Sequence, residues 1–190
     1  MSLLFLGVYG FTNLHAETAT HLYRFYFEWE RSIPLIPEFI LIYFSLNIFL
    51  FVPLIWSSEE EILVLGKRAS LTILIAGLCF YFFPAPTAFI RQAAVPAWSN
   101  FFRILFELDR PFNTFPSLHI SFSVLILITV WPAQSLKEKT MTVFWVFLIC
   151  LSVLFTHQHH VLDIMGGAIL AFASAAVFRN RVLERNHASA

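Results

Sequence analysis

The feature that most constrains this chain is a succession of apolar runs: Ile33 to Trp56, Ala69 to Phe83, Ser117 to Trp131, Thr142 to Phe155 and Val161 to Phe178. A bilayer asks for about 17–25 apolar residues per spanning helix, and the shorter runs meet that demand through tilt or local thinning. Of the residues, 58% are hydrophobic and only 13% charged, whereas an ordinary soluble domain is about 45–50% apolar. Hydrocarbon offers no water to backbone N–H and C=O groups, so a spanning segment must be a helix or part of a closed barrel. Continuous rather than alternating apolar runs select helices. The expected fold is an all-α polytopic membrane helix bundle, a single domain over residues 1–190 with about six transmembrane helices. Met1 to Asn13 counts as a short first helix and lacks the basic stretch of a cleaved signal peptide. Arg179, Asn180 and Arg181 after Phe178 read as a stop at the membrane surface.

Formal net charge is zero, which gives no indication of nucleic acid or of a strongly acidic partner. Cys79 and Cys150 each lie within an apolar run and read as small buried hydrophobes. Basic residues favour cytoplasmic connections. Lys67, Arg68, Lys137, Lys139, Arg179, Arg181 and Arg185 fall on one side if the helices alternate, and Arg24, Arg31, Arg91, Arg103 and Arg110 on the other. This places both termini inside, and the expected setting is a bacterial inner membrane. Three of the outer arginines lie in the connection from Pro84 to Pro116, and a guanidinium fork suits phosphate. Pro84, Pro86, Pro96 and Pro111 interrupt that connection, and Trp98 to Leu108 reads as a short interfacial helix.

Four histidines gather at the outer ends of the later helices: His119, His157, His159 and His160. Ionisable groups at membrane depth are costly and mark function by default. Pro116-Ser117-Leu118-His119 reads as a helix start, where Ser117 sits beside free backbone donors that attract an anion. His159 and Asp163 are four residues apart and share a face if a helix begins near His159. A carboxylate on one ring nitrogen would orient the imidazole and raise the basicity of the other nitrogen. Gly166 and Gly167 would let a neighbouring helix approach closely. His160 reads as a bystander facing the interface, and His15 and His21 as solvated or headgroup-level groups. Trp56, Tyr81, Trp98 and Trp131 read as interfacial belt residues. Two rival readings are a haem or metal protein, with His119 paired to His157, His159 or His160, and a lipid-phosphate binder without turnover.

Arg103 followed six residues on by Arg110-Pro111, then Pro116-Ser117-Leu118-His119, then His159-x-x-x-Asp163 resembles the three signature motifs of the type 2 phosphatidic acid phosphatase superfamily. Leu118 in place of glycine and the run Thr156-His157-Gln158-His159 are similar to the branch of inositol phosphorylceramide synthases. The resemblance covers the last hundred residues, with the motif-bearing part at 84–178. It implies a phosphatase or phosphotransferase for a lipid or isoprenoid phosphate, without metal or other cofactor, acting at the extracytoplasmic face. His159 would be the nucleophile, Asp163 its partner and His119 the general acid. Arg110, Ser117 and either Arg103 or Arg91 would bind phosphate. Val153 stands where the family carries an arginine, with Gln158 or His157 as possible substitutes.

Overall fold

The computed structural model describes residues 2–91 and 97–178. Pro96, Arg179, Asn180, Arg181, Arg185 and His187 lie outside the described residues. The chain is all-helical: α1 (Ser2–Thr18), α2 (Phe39–Phe44), α3 (Leu46–Phe49), α4 (Pro53–Trp56), α5 (Glu59–Phe82), α6 (Ser99–Leu108), α7 (Leu118–Val130), α8 (Leu136–Phe155) and α9 (Val161–Val177). Among the described residues there is no strand, and a single isolated bridge pairs Ala85 with Asn113.

α5 and α8 are long and apolar enough to cross a bilayer. Each begins with a serine capping box, Ser58 with Glu61 and Ser135 with Glu138, which satisfies the first free N–H groups. Their most apolar stretches are only 33% and 28% buried within the fold. Leu63, Leu74 and Leu78 on α5 and Phe144 and Phe147 on α8 point outward and give both helices an apolar exterior.

α1 runs beyond the apolar run that suggests it, ending at Thr18 rather than near Asn13. Polar Thr12 and Asn13 are accommodated because their side chains bond back to the carbonyls of Val8 and Tyr9, and both are buried. The run Ile33 to Trp56 is not one regular helix. Residues 33–38 are non-helical, and α2, α3 and α4 form a kinked rod. Pro53 has no N–H to continue the α ladder, and the bonds just before it tighten to the three-residue spacing, Phe51 to Ile48 at 3.0 Å and Val52 to Phe49 at 3.1 Å.

α7 is the most enclosed helix and packs against α5, α8 and α9. Its Ile120, Leu125 and Ile126 join Ile40, Phe49, Ile149, Val153 and Ala171 in the main core. At one end of the bundle the Ile36 N–H donates to the carbonyl of Phe155 (2.9 Å) and the Tyr23 N–H to that of Pro84 (2.9 Å). This end gathers the starts of α2, α7 and α9 and the finishes of α5 and α8. At the other end Trp56 bonds Glu138 (3.3 Å). There the guanidinium of buried Arg68 donates twice to the carbonyl of Phe178, at 3.0 and 2.8 Å. Lys67 and Arg68 therefore lie inside α5 rather than in a connection, and Arg68 places a cation on the negative end of α9.

The starts of α7 and α9 are seamed together. The Ser117 N–H donates to the Asp163 carbonyl at 3.0 Å. A Cβ on Gly167 would lie 2.4 Å from the Ser117 carbonyl oxygen, and one on Gly166 2.6 Å from the Phe115 ring. Only residues without a side chain permit this approach.

Candidate active site

Ser117 caps α7, its Oγ accepting from the Ile120 N–H at 3.5 Å, and is fully buried. His119 follows two residues later. Its ring lies against Tyr43, with centroids 4.4 Å apart, and edge-to-face with His159 at 5.8 Å.

The turn between α8 and α9 supplies the second histidine. His157 adopts a left-handed φ of 60°, and the N–H groups of Gln158 and His159 both donate to the Val153 carbonyl at 3.0 Å, reversing the chain. The Asp163 carboxylate accepts from the His160 N–H at 2.8 Å, closing the first turn of α9. His159 is buried, with Nδ1 3.0 Å from the Thr114 carbonyl oxygen and 3.5 Å from Oδ2 of Asp163. A carbonyl only accepts, so Nδ1 carries the proton and the lone pair of the neutral ring is on Nε2. That is the tautomer a nucleophile requires.

His119 and His159 line one cavity of about 680 Å³. Asp109, Arg110, Asn13, Asn113, Tyr9 and Tyr43 surround its polar end, and Phe5, Leu6, Leu50, Ile73 and Phe122 form the apolar remainder. Arg110 is paired with the carboxylate of Glu17, both groups part-exposed. Arg91 is close by but outside the cavity. Its Nη1 donates to the backbone carbonyl of Asp109 and its guanidinium lies 4.9 Å over the Phe106 ring. Burial lowers its pKa from the ordinary arginine value, and the nearby Asp109 carboxylate opposes that shift.

Arg103 is not brought to the cavity. α6 turns Phe102 and Leu105 inward, which leaves Arg103 exposed beside Asn100. His157 and Gln158 also lie away from the cavity. His157 stacks on Phe89 with centroids 4.0 Å apart and donates through Nε2 to the Ile33 carbonyl at 3.0 Å. The Gln158 amide bonds the Thr156 carbonyl at 2.7 Å. Val153 is fully buried in the apolar core, which leaves no room for a guanidinium at that position.

His160 is not an interfacial bystander but is 1% exposed. Its Nε2 accepts from the Ala88 N–H at 3.0 Å and its Nδ1 donates to Glu30 at 3.0 Å. The same carboxylate accepts from the N–H groups of Val161 and Phe27, each at 2.9 Å. Phe89 and Tyr26 flank the imidazole. Burial lowers the pKa of His160, countered by Asp163 and Glu30, and burial lowers that of His157 as well. His15 stacks on Tyr81 with centroids 4.2 Å apart.

Sequence reasoning also passed over Asp109, Tyr9 and Tyr43. Both phenols donate to the Asp109 carboxylate, Tyr43 at 3.3 Å. A carboxylate directly before Arg110-Pro111 is a visible signal, but its tyrosine partners come from α1 and α2 and no local pattern announces them. Among the described residues, no group of three or more His, Cys, Asp or Glu is arranged to hold a metal ion.

Comparison with curated proteins and with solved structures gives no match. The family model of the PAP2 superfamily matches residues 32–177, a span that includes the arginine loop and both histidine-bearing helix starts. The chain belongs to the PAP2 superfamily, whose members act on phosphorylated lipids.

Proposed function

We propose that this protein is a multi-pass membrane phosphatase or phosphotransferase that handles a lipid or isoprenoid phosphate through a phosphohistidine on His159. The observation that carries the reading is the pairing of two histidines on one cavity wall, 5.8 Å between ring centroids, with Nδ1 of His159 tied to a carbonyl. Nε2 of His159 attacks phosphorus and a P–N bond forms as the ester P–O bond breaks. His119 gives its proton to the departing alkoxide. Water or an alcohol then attacks phosphorus and gives its proton back to His119 as the P–N bond breaks, which frees His159 and releases phosphate or a new ester. Asp163 places a negative charge near the imidazolium that develops, and Arg110 balances charge on the phosphoryl oxygens.

The apolar part of the cavity suits an acyl or prenyl chain, and the polar end suits its phosphate. α1, the α2–α4 rod, α5, α7, α8 and α9 serve as six passes in this reading. Lys67, Lys137 and Lys139 lie toward the end opposite the histidines, which supports an extracytoplasmic site with cytoplasmic termini.

The test is phosphate release by purified protein from phosphatidic acid, isoprenyl diphosphate and phosphorylated glycolipids, with and without added alcohols, against His159→Ala. Release lost in the variant is expected, and product that requires an added alcohol would identify a transferase. Equal background in both proteins would reject the assignment.

A further inference from the structure

Resting on the proposed phosphoryl-transfer reading, we infer that Glu30 and His160 are positioning residues for His159, fixing in place the backbone carbonyl that holds the nucleophilic ring in its reactive tautomer. Neither side chain lines the cavity, and both are fully buried. Glu30 also precedes residue 32, where the PAP2 superfamily match begins. A carboxylate only accepts and a backbone N–H only donates, so the two neighbours of the His160 ring set its proton. Glu30 at 3.0 Å places that proton on Nδ1, and the Ala88 N–H at 3.0 Å requires the lone pair on Nε2. Phe89 and Tyr26 stack on the imidazole, and the N–H groups of Phe27 and Val161 hold the carboxylate, so neither partner is free to turn.

Ala88 belongs to a loop that is zipped to the segment carrying Thr114. The Ala85 N–H donates to the Phe112 carbonyl at 3.2 Å and the Thr87 N–H to the Pro111 carbonyl at 3.0 Å. The Thr114 hydroxyl donates to the Ala85 carbonyl at 2.9 Å. The carbonyl of that same Thr114 is the acceptor for Nδ1 of His159 at 3.0 Å. A circuit therefore closes on the nucleophile. His160 adjoins His159 in the chain, and through Ala88 it also holds the loop that holds the acceptor of His159. The His160 backbone N–H donates at 2.8 Å to Oδ2 of Asp163, the other oxygen near Nδ1 of His159.

Both adjacent histidines thus carry the proton on Nδ1 and the lone pair on Nε2. His160 spends its lone pair on the loop, and His159 offers its own to phosphorus. Without the Glu30 acceptor, the His160 proton moves to Nε2 and opposes the Ala88 N–H, donor against donor. The loop then withdraws and draws the Thr114 carbonyl with it. Nδ1 of His159 is left with the more distant Asp163 carboxylate at 3.5 Å. The share of His159 rings protonated on Nε2 rises, and a ring in that tautomer has no lone pair for attack.

The test uses the purified full chain in detergent with isotope-labelled histidine, wild type against Glu30→Gln. Ring nitrogen NMR shifts report which nitrogen of each imidazole carries the proton, and His159→Ala and His160→Gln assign the signals. Wild-type His159 and His160 are both expected with the proton on Nδ1. Glu30→Gln turns an acceptor oxygen into a donor and is expected to move both rings toward the Nε2–H form. In single-turnover trapping with phosphatidic acid, its rate of phosphohistidine formation is expected to fall about tenfold to hundredfold at unchanged amplitude. Its dissociation constant for phosphatidic acid is expected to stay the same. His160→Asn keeps a donor for Glu30 and drops the acceptor for Ala88, so it is expected to reproduce the rate loss even if Glu30→Gln does not fold. Wild-type His160 protonated on Nε2, a wild-type rate in His160→Asn, or a loss of amplitude alone with the His159 tautomer unmoved would overturn the inference. Tautomers that shift together in a protein whose wild type traps no phosphohistidine would reject the catalytic reading while leaving the coupling of the two rings standing.

Discussion

His159 leans on the backbone carbonyl of Thr114 at 3.0 Å more closely than on the carboxylate of Asp163 at 3.5 Å. The carbonyl fixes the ring tautomer, and the carboxylate is shared with the cap of α9. Asp163→Asn should therefore keep the tautomer and lose only electrostatic support. Phosphohistidine formation in single-turnover trapping is expected to fall about tenfold to hundredfold, well short of the about 10⁴-fold loss seen when such a substitution also disturbs the tautomer.

His119 is assigned to the leaving group, and this role has a specific signature. His119→Gln should slow release of an alkyl alcohol about 10²- to 10⁴-fold and leave release of a good leaving group such as p-nitrophenol nearly unchanged. Equal losses on both substrates would move His119 to a different task.

Glu17 holds the guanidinium of Arg110, the group proposed to bind the substrate phosphate. Glu17→Gln should lower KM for an anionic substrate severalfold with kcat unchanged. Thermal stability should hardly move, because a part-exposed ion pair contributes only about 0–1 kcal/mol. Arg103→Ala, on the outer face of α6, should leave kcat/KM within about twofold.

Glu30 is a buried acceptor for three donors at the start of α9 and in the loop before α2. Glu30→Ala leaves those donors without a partner and is expected to cost about 3–5 kcal/mol, read as a lowered thermal midpoint.

The same cluster predicts an acid limit. Burial lowers the pKa of His160 and of His157 in the folded protein, while the unfolded chain titrates near the ordinary histidine value of about 6.5. Below that pH the unfolded state binds more protons, so stability is full above it and is lost as pH falls toward the folded values. Melting temperature followed from pH 8 to pH 5 should drop through this window, and His160→Gln should flatten the slope. A slope identical in the variant would assign acid lability elsewhere.

The legible parts of this fold were those set by neighbours in sequence. Pro116-Ser117 announces a helix start, His159 and Asp163 announce a shared face, and the apolar runs announce α5, α7, α8 and α9. What the sequence hid depends on contacts between distant segments. His160 looks spare until Glu30, 130 residues away, is placed against it. Asp109 is one acid in a loop until Tyr9 and Tyr43 close on it. Arg103 keeps the motif spacing, but the phase of α6 decides where it points, and that phase is set by burial of Phe102 and Leu105.

The PAP2 superfamily match begins at residue 32, whereas Phe5, Tyr9 and Asn13 of α1 form one wall of the cavity. The histidines and the seam that joins their helices thus belong to one stretch of chain, and part of the cavity wall to another. Under the proposed reading, an exchange of α1 alone would leave both histidines in place and replace the wall that the substrate meets.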